Sequence, residues 1–273
     1  MDIIKRGNKK GKIANIKFNN YNLIIFMIFF LLFSLEESKC KIIKLNLDSE
    51  ILIIIKGPGN YSVLNKRNIN GDKYFNYTPS EIYINGVARN RTNNFEYNLE
   101  LEDNIITLKF NQPLKHCNWM FYNLNNIIEI QFLNFDSSNL TEMIETFGNC
   151  NNLVSLNLSV LDTSKVINVS GMFSYCNNLK SLDLSNFNTK EVINMGYFLS
   201  NCFNLISIDL SNFNTISVIN MEYMFSGCSN LATIDLSHFN TSLVKNMNSM
   251  FSGCSKLISL DLSHLDTSSV MYM

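Results

Sequence analysis

The sequence predicts an α/β solenoid: a stack of repeats with a parallel sheet on one side and short helices on the other, preceded by a small antiparallel β cap. Three observations carry this prediction. Cys150, Cys176, Cys202, Cys228 and Cys254 recur at a constant step of 26 residues. Apolar columns keep the same step without an insertion, among them Leu156, Leu182, Ile208, Ile234, Leu260 and Leu158, Leu184, Leu210, Leu236, Leu262. Within each unit the apolar spacing then changes from every second residue to every third and fourth. A fixed period of this length marks stacked supersecondary units, none of which buries its apolar faces alone.

One unit shows the elements. Leu182 and Leu184 alternate with polar residues, the period of a strand. Asn186 to Thr189 turns the chain, with Phe187 folded inward. Thr189 fits a helix N-cap, and Val192, Met195, Phe198, Leu199 and Cys202 follow as the stripe of a short helix. Asn204 stands where that helix must end, and Asn tolerates a left-handed C-cap. Other columns repeat the plan: Leu161, Phe187, Phe213, Phe239, Leu265, and Val166, Val192, Val218, Val244, Val270. Phe147, Phe173, Phe225 and Phe251 form another, with Leu199 in the remaining slot. Phe121, Ile127, Ile130, Phe132 and Phe135 fit a divergent earlier repeat, and Ile105 to Phe110 reads as a shortened first coil. The solenoid is therefore assigned to residues 105–273.

The phrase L-x-x-L-x-L is a leucine-rich-repeat strand signature. Leu179-Lys-Ser-Leu-Asp-Leu-Ser-Asn-Phe-Asn-Thr, continuing through Val-Ile-Asn-Met, resembles the repeat of BspA-like leucine-rich-repeat surface proteins. Met221-Glu-Tyr-Met-Phe-Ser-Gly-Cys-Ser-Asn-Leu231 and Met247-Asn-Ser-Met-Phe-Ser-Gly-Cys-Ser-Lys-Leu257 carry the same motif. The resemblance covers the chain from about Asn118 onward. It implies an exported or cell-surface protein of bacteria or microbial eukaryotes, associated with adhesion and with binding host or matrix proteins. The family has no shared active site to carry over.

The chain before the repeats has two parts. Lys5, Arg6, Lys9, Lys10, Lys12 and Lys17 give a basic leader, followed by an uninterrupted apolar run from Leu23 to Phe33 and a polar stretch from Ser34 to Cys40. This is the pattern of a signal peptide or signal anchor, assigned to residues 1–39. The run is shorter than the roughly 20 residues of an unaided transmembrane helix. If uncleaved, it is the only membrane contact expected. Residues 40–104 read as the β-rich cap, with strand-like runs Ile42–Leu47, Ile51–Ile55 and Glu81–Ile84. Gly57-Pro58-Gly59, Asn70-Gly71 and Asn85-Gly86 supply the turns. The sequons at Asn60, Asn76 and Asn90 fall in this region.

Little in the chain suggests catalysis. Net charge is −1, which gives no basic field for nucleic acid. The repeat cysteines lack the two-to-four-residue spacing of metal pairs, and read as small buried hydrophobes packing in a column. Cys40 and Cys117 lie outside that column and are free to pair. His116, His238 and His264 form no metal-type group, and the last two share a column with Asn in other repeats. No glycine-rich phosphate loop is present. No enzyme, cofactor, metal or catalytic residue is therefore assigned.

The outward strand positions are the candidate binding strip: Ser181, Asp183 and Ser185, with Asp209, Asp235 and Asp261 in register. The functional reading is an acidic, hydroxyl-rich surface for a basic or polar partner or a cation. The structural reading is a repeated phrase hydrogen-bonded to its neighbours. The expected function is adhesin-like recognition of an extracellular protein or glycan, with a self-assembling surface coat as the alternative. The sequence stops at Met273 within the helical half of a repeat, so its edge is expected to be incomplete or to mate with another chain.

Overall fold

The computed structural model describes residues 48–65 and 78–273. The basic leader, Cys40, the Ile42–Leu47 run, the Asn70-Gly71 turn and Asn76 lie outside the described residues.

Alternation builds the cap. In β1 (Ser49–Lys56) the isoleucines at 51, 53 and 55 are fully buried, while the residues between them are half-buried. β2 (Gly59–Ser62) pairs with β5 (Glu96–Leu99) as a separate two-stranded sheet. β3 (Glu81–Ile84) and β4 (Val87–Arg89) form a hairpin about Asn85-Gly86. Both turn residues are left-handed, φ 52° and 78°, as a two-residue hairpin with the sheet's twist requires. β6 (Asp103–Phe110) runs antiparallel to β1 from Ser49↔Phe110 to Lys56↔Asp103, and also to β3. The stretch read as a shortened first coil is therefore a central strand of the cap sheet.

β1 also pairs antiparallel with β7 (Ile127–Leu133), and β7 pairs parallel with β8 (Ser155–Asn157). The six-stranded sheet thus has the order β4-β3-β6-β1-β7-β8. It is mixed. Its antiparallel part covers the edge of the first repeat, whose N–H and C=O groups would otherwise be open to another chain.

From His116 onward the chain winds as stacked coils joined by parallel bridges: His116↔Glu142, Glu142↔Asn168, Asn168↔Asn194, Asn194↔Asn220, Asn220↔Asn246 and Asn246↔Tyr272. The expected short helices are not formed; no helix occurs among the described residues. Where a helix was expected, the amides of Val169, Gly171, Phe173 and Tyr175 donate to the carbonyls of Asn194, Gly196, Phe198 and Ser200 in the next coil, at 2.8–3.1 Å. The intervening amides of Met172, Ser174 and Cys176 donate to carbonyls three residues back. Left-handed residues recur four apart, as at Gly171 and Tyr175 (φ 61° and 59°) and at Tyr197 and Asn201 (φ 59° and 59°). A right-handed helix cannot contain them. The three-and-four spacing comes from consecutive tight turns that also aim apolar residues inward.

The expected parallel sheet is likewise limited to the β7–β8 pair. Leu182 and Leu184 are buried between exposed Ser181, Asp183 and Ser185, so the alternation is present. Only a single backbone bond joins these segments from coil to coil, such as the Ile206 amide to the Lys180 carbonyl at 3.3 Å. A leucine-rich-repeat solenoid with a helical side is therefore not the architecture; the coils are turns and extended segments behind a mixed sheet.

The core follows the columns. The rings of Phe121, Phe147 and Phe173 stack at centroid distances of 5.8 and 5.6 Å. Leu199 interrupts that column, and Phe198 fills the space from the adjacent methionine column, meeting Phe173 edge-on at 5.2 Å. Exchanging large and small residues between neighbouring columns conserves volume. Thr189, read as an N-cap, is 1 % exposed and does something else: its Oγ1 accepts the Asn214 amide at 2.8 Å and donates to the Asn214 carbonyl at 2.9 Å. Thr163, Thr215 and Thr241 occupy the same column and donate in the same way.

The cysteines among the described residues are free thiols. Each repeat Sγ donates to a backbone carbonyl of the preceding coil at 3.0–3.1 Å, from Cys150 on Phe121 to Cys254 on Phe225. Burial pushes the thiols of Cys117, Cys150 and Cys228 up to about 12, and raises Cys176 and Cys202 as well. Thiolate is the reactive form. Native-state alkylation at pH 8 is therefore expected to label Cys254, which is only half-buried, well before these five. Peptide mass mapping checks the order; prompt labelling of Cys176 or Cys202 in folded protein would contradict it.

Candidate functional site

The predicted strip is brought together as one surface. Ser181, Asp183 and Ser185 are exposed on one coil, and Asp209, Asp235 and Asp261 are exposed at the same position of the following three. The buried leucines between them fix this direction, because neighbouring residues of an extended segment face opposite ways.

Each Asp is held locally. The Oδ1 atoms of Asp183, Asp209, Asp235 and Asp261 accept the backbone amides of Ser185, Ser211, Ser237 and Ser263, each at 2.9 Å. Asn157 makes the same bond to Ser159 at 3.0 Å. These bonds cap the turn after each extended segment, so the structural reading of the phrase describes real contacts. They also keep the carboxyls ionised. Accepting the Ser185 amide and hydroxyl holds Asp183 below the usual carboxylate range. Asp209 is lowered by Ser211 despite opposing charge from Asp183 and Asp235 on either side. Asp235 is lowered by Ser237, with help from His238 and His264.

The strip is not flat. Asn157, Ser159, Asp183, Ser185 and Asn186 rim a concavity of about 340 Å³ with Leu156, Leu158, Leu184 and Phe187. It offers acceptors and hydroxyls above an apolar floor. The Asn186 column steadies this surface: Asn212 Nδ2 donates to the carbonyls of Leu184 and Ser185 at 3.0 and 2.9 Å. His238 and His264 stand in that column as exposed residues. Among the described residues, no group of three or more His, Cys, Asp or Glu side chains is placed to hold a metal ion. No helix among them is long and apolar enough to cross a membrane. Asn60, on β2, and Asn90 are exposed.

Two surface features were not singled out from sequence. Ile167, Ile193 and Ile219 are each about two-fifths exposed in one column. Tyr122 and Glu145 pack against Gly148, and the Glu145 side chain lies over Gly171. The signal for both lay in positions where the repeats differ or stay apolar on the outside, which column matching passes over.

Comparison with known proteins gives no match among curated proteins and none among solved structures. The family comparison matches residues 115–230 and, overlapping them, 198–273. These spans cover the stacked coils and more than half of the chain, which therefore belongs to the family described as "Mycoplasma protein of unknown function, DUF285".

Proposed function

We propose that this chain is an exported or cell-surface binding protein, adhesin-like in role, that acts by recognition of a protein or glycan and not by catalysis. The observation that carries this is the strip: four exposed aspartates in register, flanked by hydroxyls, beside a concavity at Asn157 and Asp183. Repetition at the coil spacing suits an extended partner that offers several basic or hydroxyl groups. The resemblance to BspA-like surface proteins and the basic leader with its apolar run support the extracellular setting.

The test changes Asp183, Asp209, Asp235 and Asp261 to Asn together. Asn keeps the volume and the acceptor for the Ser amide, so circular dichroism is expected to be unchanged. Partners are captured on the wild-type chain, and affinity is measured at two ionic strengths. We expect weaker binding by the variant and a flatter salt dependence, because screening acts on the charges removed. The lowered pKa values mean the strip loses charge only as pH falls below the ordinary carboxylate range, near about 4, so wild-type binding should hold through mildly acidic pH. Unchanged affinity with an intact fold would make the Asp row a turn cap only.

The exposed isoleucine column favours one other reading, a self-assembling surface coat. Sedimentation at increasing concentration separates the two: ordered assembly without a ligand supports the coat, and a monomer that binds saturably supports the adhesin.

A further inference from the structure

We propose that the concavity between Asn157 and Asp183 is a slot for a single neutral sugar ring. The proposal deepens the recognition reading above and rests on it for the extracellular setting, but it concerns this one slot and not the whole aspartate row.

The slot opens where the sheet ends. β8 is the edge strand from which the next coil continues. At the other junctions one backbone bond holds the extended segments together: Val154 amide to Ile128 carbonyl, Ile206 to Lys180, Ala232 to Ile206 and Ile258 to Ala232, at 2.9–3.3 Å. The corresponding bond from the Lys180 amide to the Val154 carbonyl is not formed. The turn after these segments is loosely tied as well. Asn212 Nδ2 donates to the carbonyls of Leu184, Ser185 and Phe187 at 3.0, 2.9 and 3.3 Å, whereas Asn186 Nδ2 reaches only the Ser159 carbonyl, at 3.2 Å. Between the two segments lie about 340 Å³. That is near the lower end of small-molecule sites, roughly 300–1,000 Å³, so it suits one ring and not a folded chain.

The two walls carry opposite hydrogen-bonding chemistry. Asn157 stands where the next four coils have Asp. Its Oδ1 is spent on the Ser159 amide at 3.0 Å, which leaves the Nδ2 donors for a ligand. Across the slot Asp183 accepts from Ser185, at 2.9 Å from the amide, and a carboxylate has lone pairs beyond those. The floor between the walls is Leu156, Leu158, Leu184 and Phe187.

This pairing selects the ligand. Two facing carboxylates would call for a cation, but one carboxylate facing one amide calls for a neutral group that both gives and receives hydrogen bonds. An ammonium or guanidinium only donates and leaves Asn157 unmatched. A phosphate or carboxylate meets the Asp183 charge. Hydroxyls donate to Asp183 and accept from Asn157, and the C–H face of a pyranose rests on the leucines.

The full chain is titrated with the methyl glycosides of glucose, galactose, mannose and N-acetylglucosamine by saturation-transfer NMR. Tetrahydropyran-2-methanol, which keeps the ring and lacks the ring hydroxyls, is the control. We expect a saturable response to at least one glycoside and none to the control. Asn157→Asp restores the ordinary phrase of the other coils, so the fold should survive, as circular dichroism will show. It places two carboxylates across the slot, and sugar affinity should fall roughly tenfold or more, as for a lost hydrogen bond at a charged group. Asp183→Asn should weaken binding likewise. Changing Asp209, Asp235 and Asp261 together to Asn should leave sugar affinity unchanged while weakening a basic partner of the strip. No saturable response to any glycoside, an equal response to the control, or full affinity in folded Asn157→Asp would overturn the slot. Those results leave the strip standing if the triple variant still loses its captured partner. Intact sugar binding beside a triple variant that keeps full partner affinity would instead overturn the strip and support the slot.

Discussion

Leu184→Asp is expected to lower the stability of the stack by on the order of 3–5 kcal/mol, the range for an uncompensated buried charge. Leu184 is 3 % exposed and lies between exposed Asp183 and Ser185. The new carboxylate would meet only the apolar core columns, and the leucine contacts would be lost as well. The carboxylate can escape by turning outward only if the extended segment slips by one residue. That slip would send Asp183 and Ser185 inward, so it relieves nothing. Ser185→Asp is the control: the same chemical group one residue later stays in water and should change the urea midpoint little. Because coils stabilise one another through nearest neighbours, the damage should spread to the adjacent coils and not remain local. An unchanged midpoint for Leu184→Asp would mean that the inward and outward faces are assigned the wrong way round.

Thr215→Val is expected to cost about 2–6 kcal/mol, from two backbone groups that each lose a partner at about 1–3 kcal/mol when buried. Thr215 Oγ1 accepts the Asn240 amide at 2.8 Å and donates to the Asn240 carbonyl at 2.9 Å, and the side chain is 1 % exposed. Valine matches the shape and puts a methyl group where the hydroxyl was. Thr215→Ser keeps the oxygen and loses one methyl, a cost of about 1 kcal/mol. The ordering is therefore wild type, then Ser, then Val, read from urea midpoints at constant slope. A valine variant as stable as the serine variant would mean that the hydroxyl bridges contribute nothing to the stack. Thr189→Val combined with Thr215→Val tests whether adjacent bridges reinforce one another, since neighbouring sites depart from additivity.

The sequence by itself determined the repeat and its register. The constant step places Cys176 over Cys150 and Asp209 over Asp183 whatever the backbone does between them. Alternation at Ser181 to Ser185 decides which residues face water, because apolar side chains must leave it. Asn85-Gly86 specifies its hairpin because both residues tolerate a left-handed backbone. The aspartate strip was legible for the same reason: it is what remains outside once the leucines are placed.

Only the tertiary structure decided where the backbone hydrogen bonds go. A spacing of three and four at Val192, Met195, Phe198 and Cys202 says which side chains are buried, and both a helix and a run of tight turns satisfy it. The choice depends on whether the Gly171 and Phe173 amides find acceptors within their own segment or in the next coil, and they find Gly196 and Phe198. Those acceptors exist only after the coils have stacked. Thr189 could not be told from a helix cap for the same reason, since its partner Asn214 is 25 residues away. The packing of Glu145 over Gly171 was hidden because the two share a column without sharing a residue type. Side-chain pattern is local information, whereas hydrogen-bond partners and neighbours across coils are set by how the chain is wound.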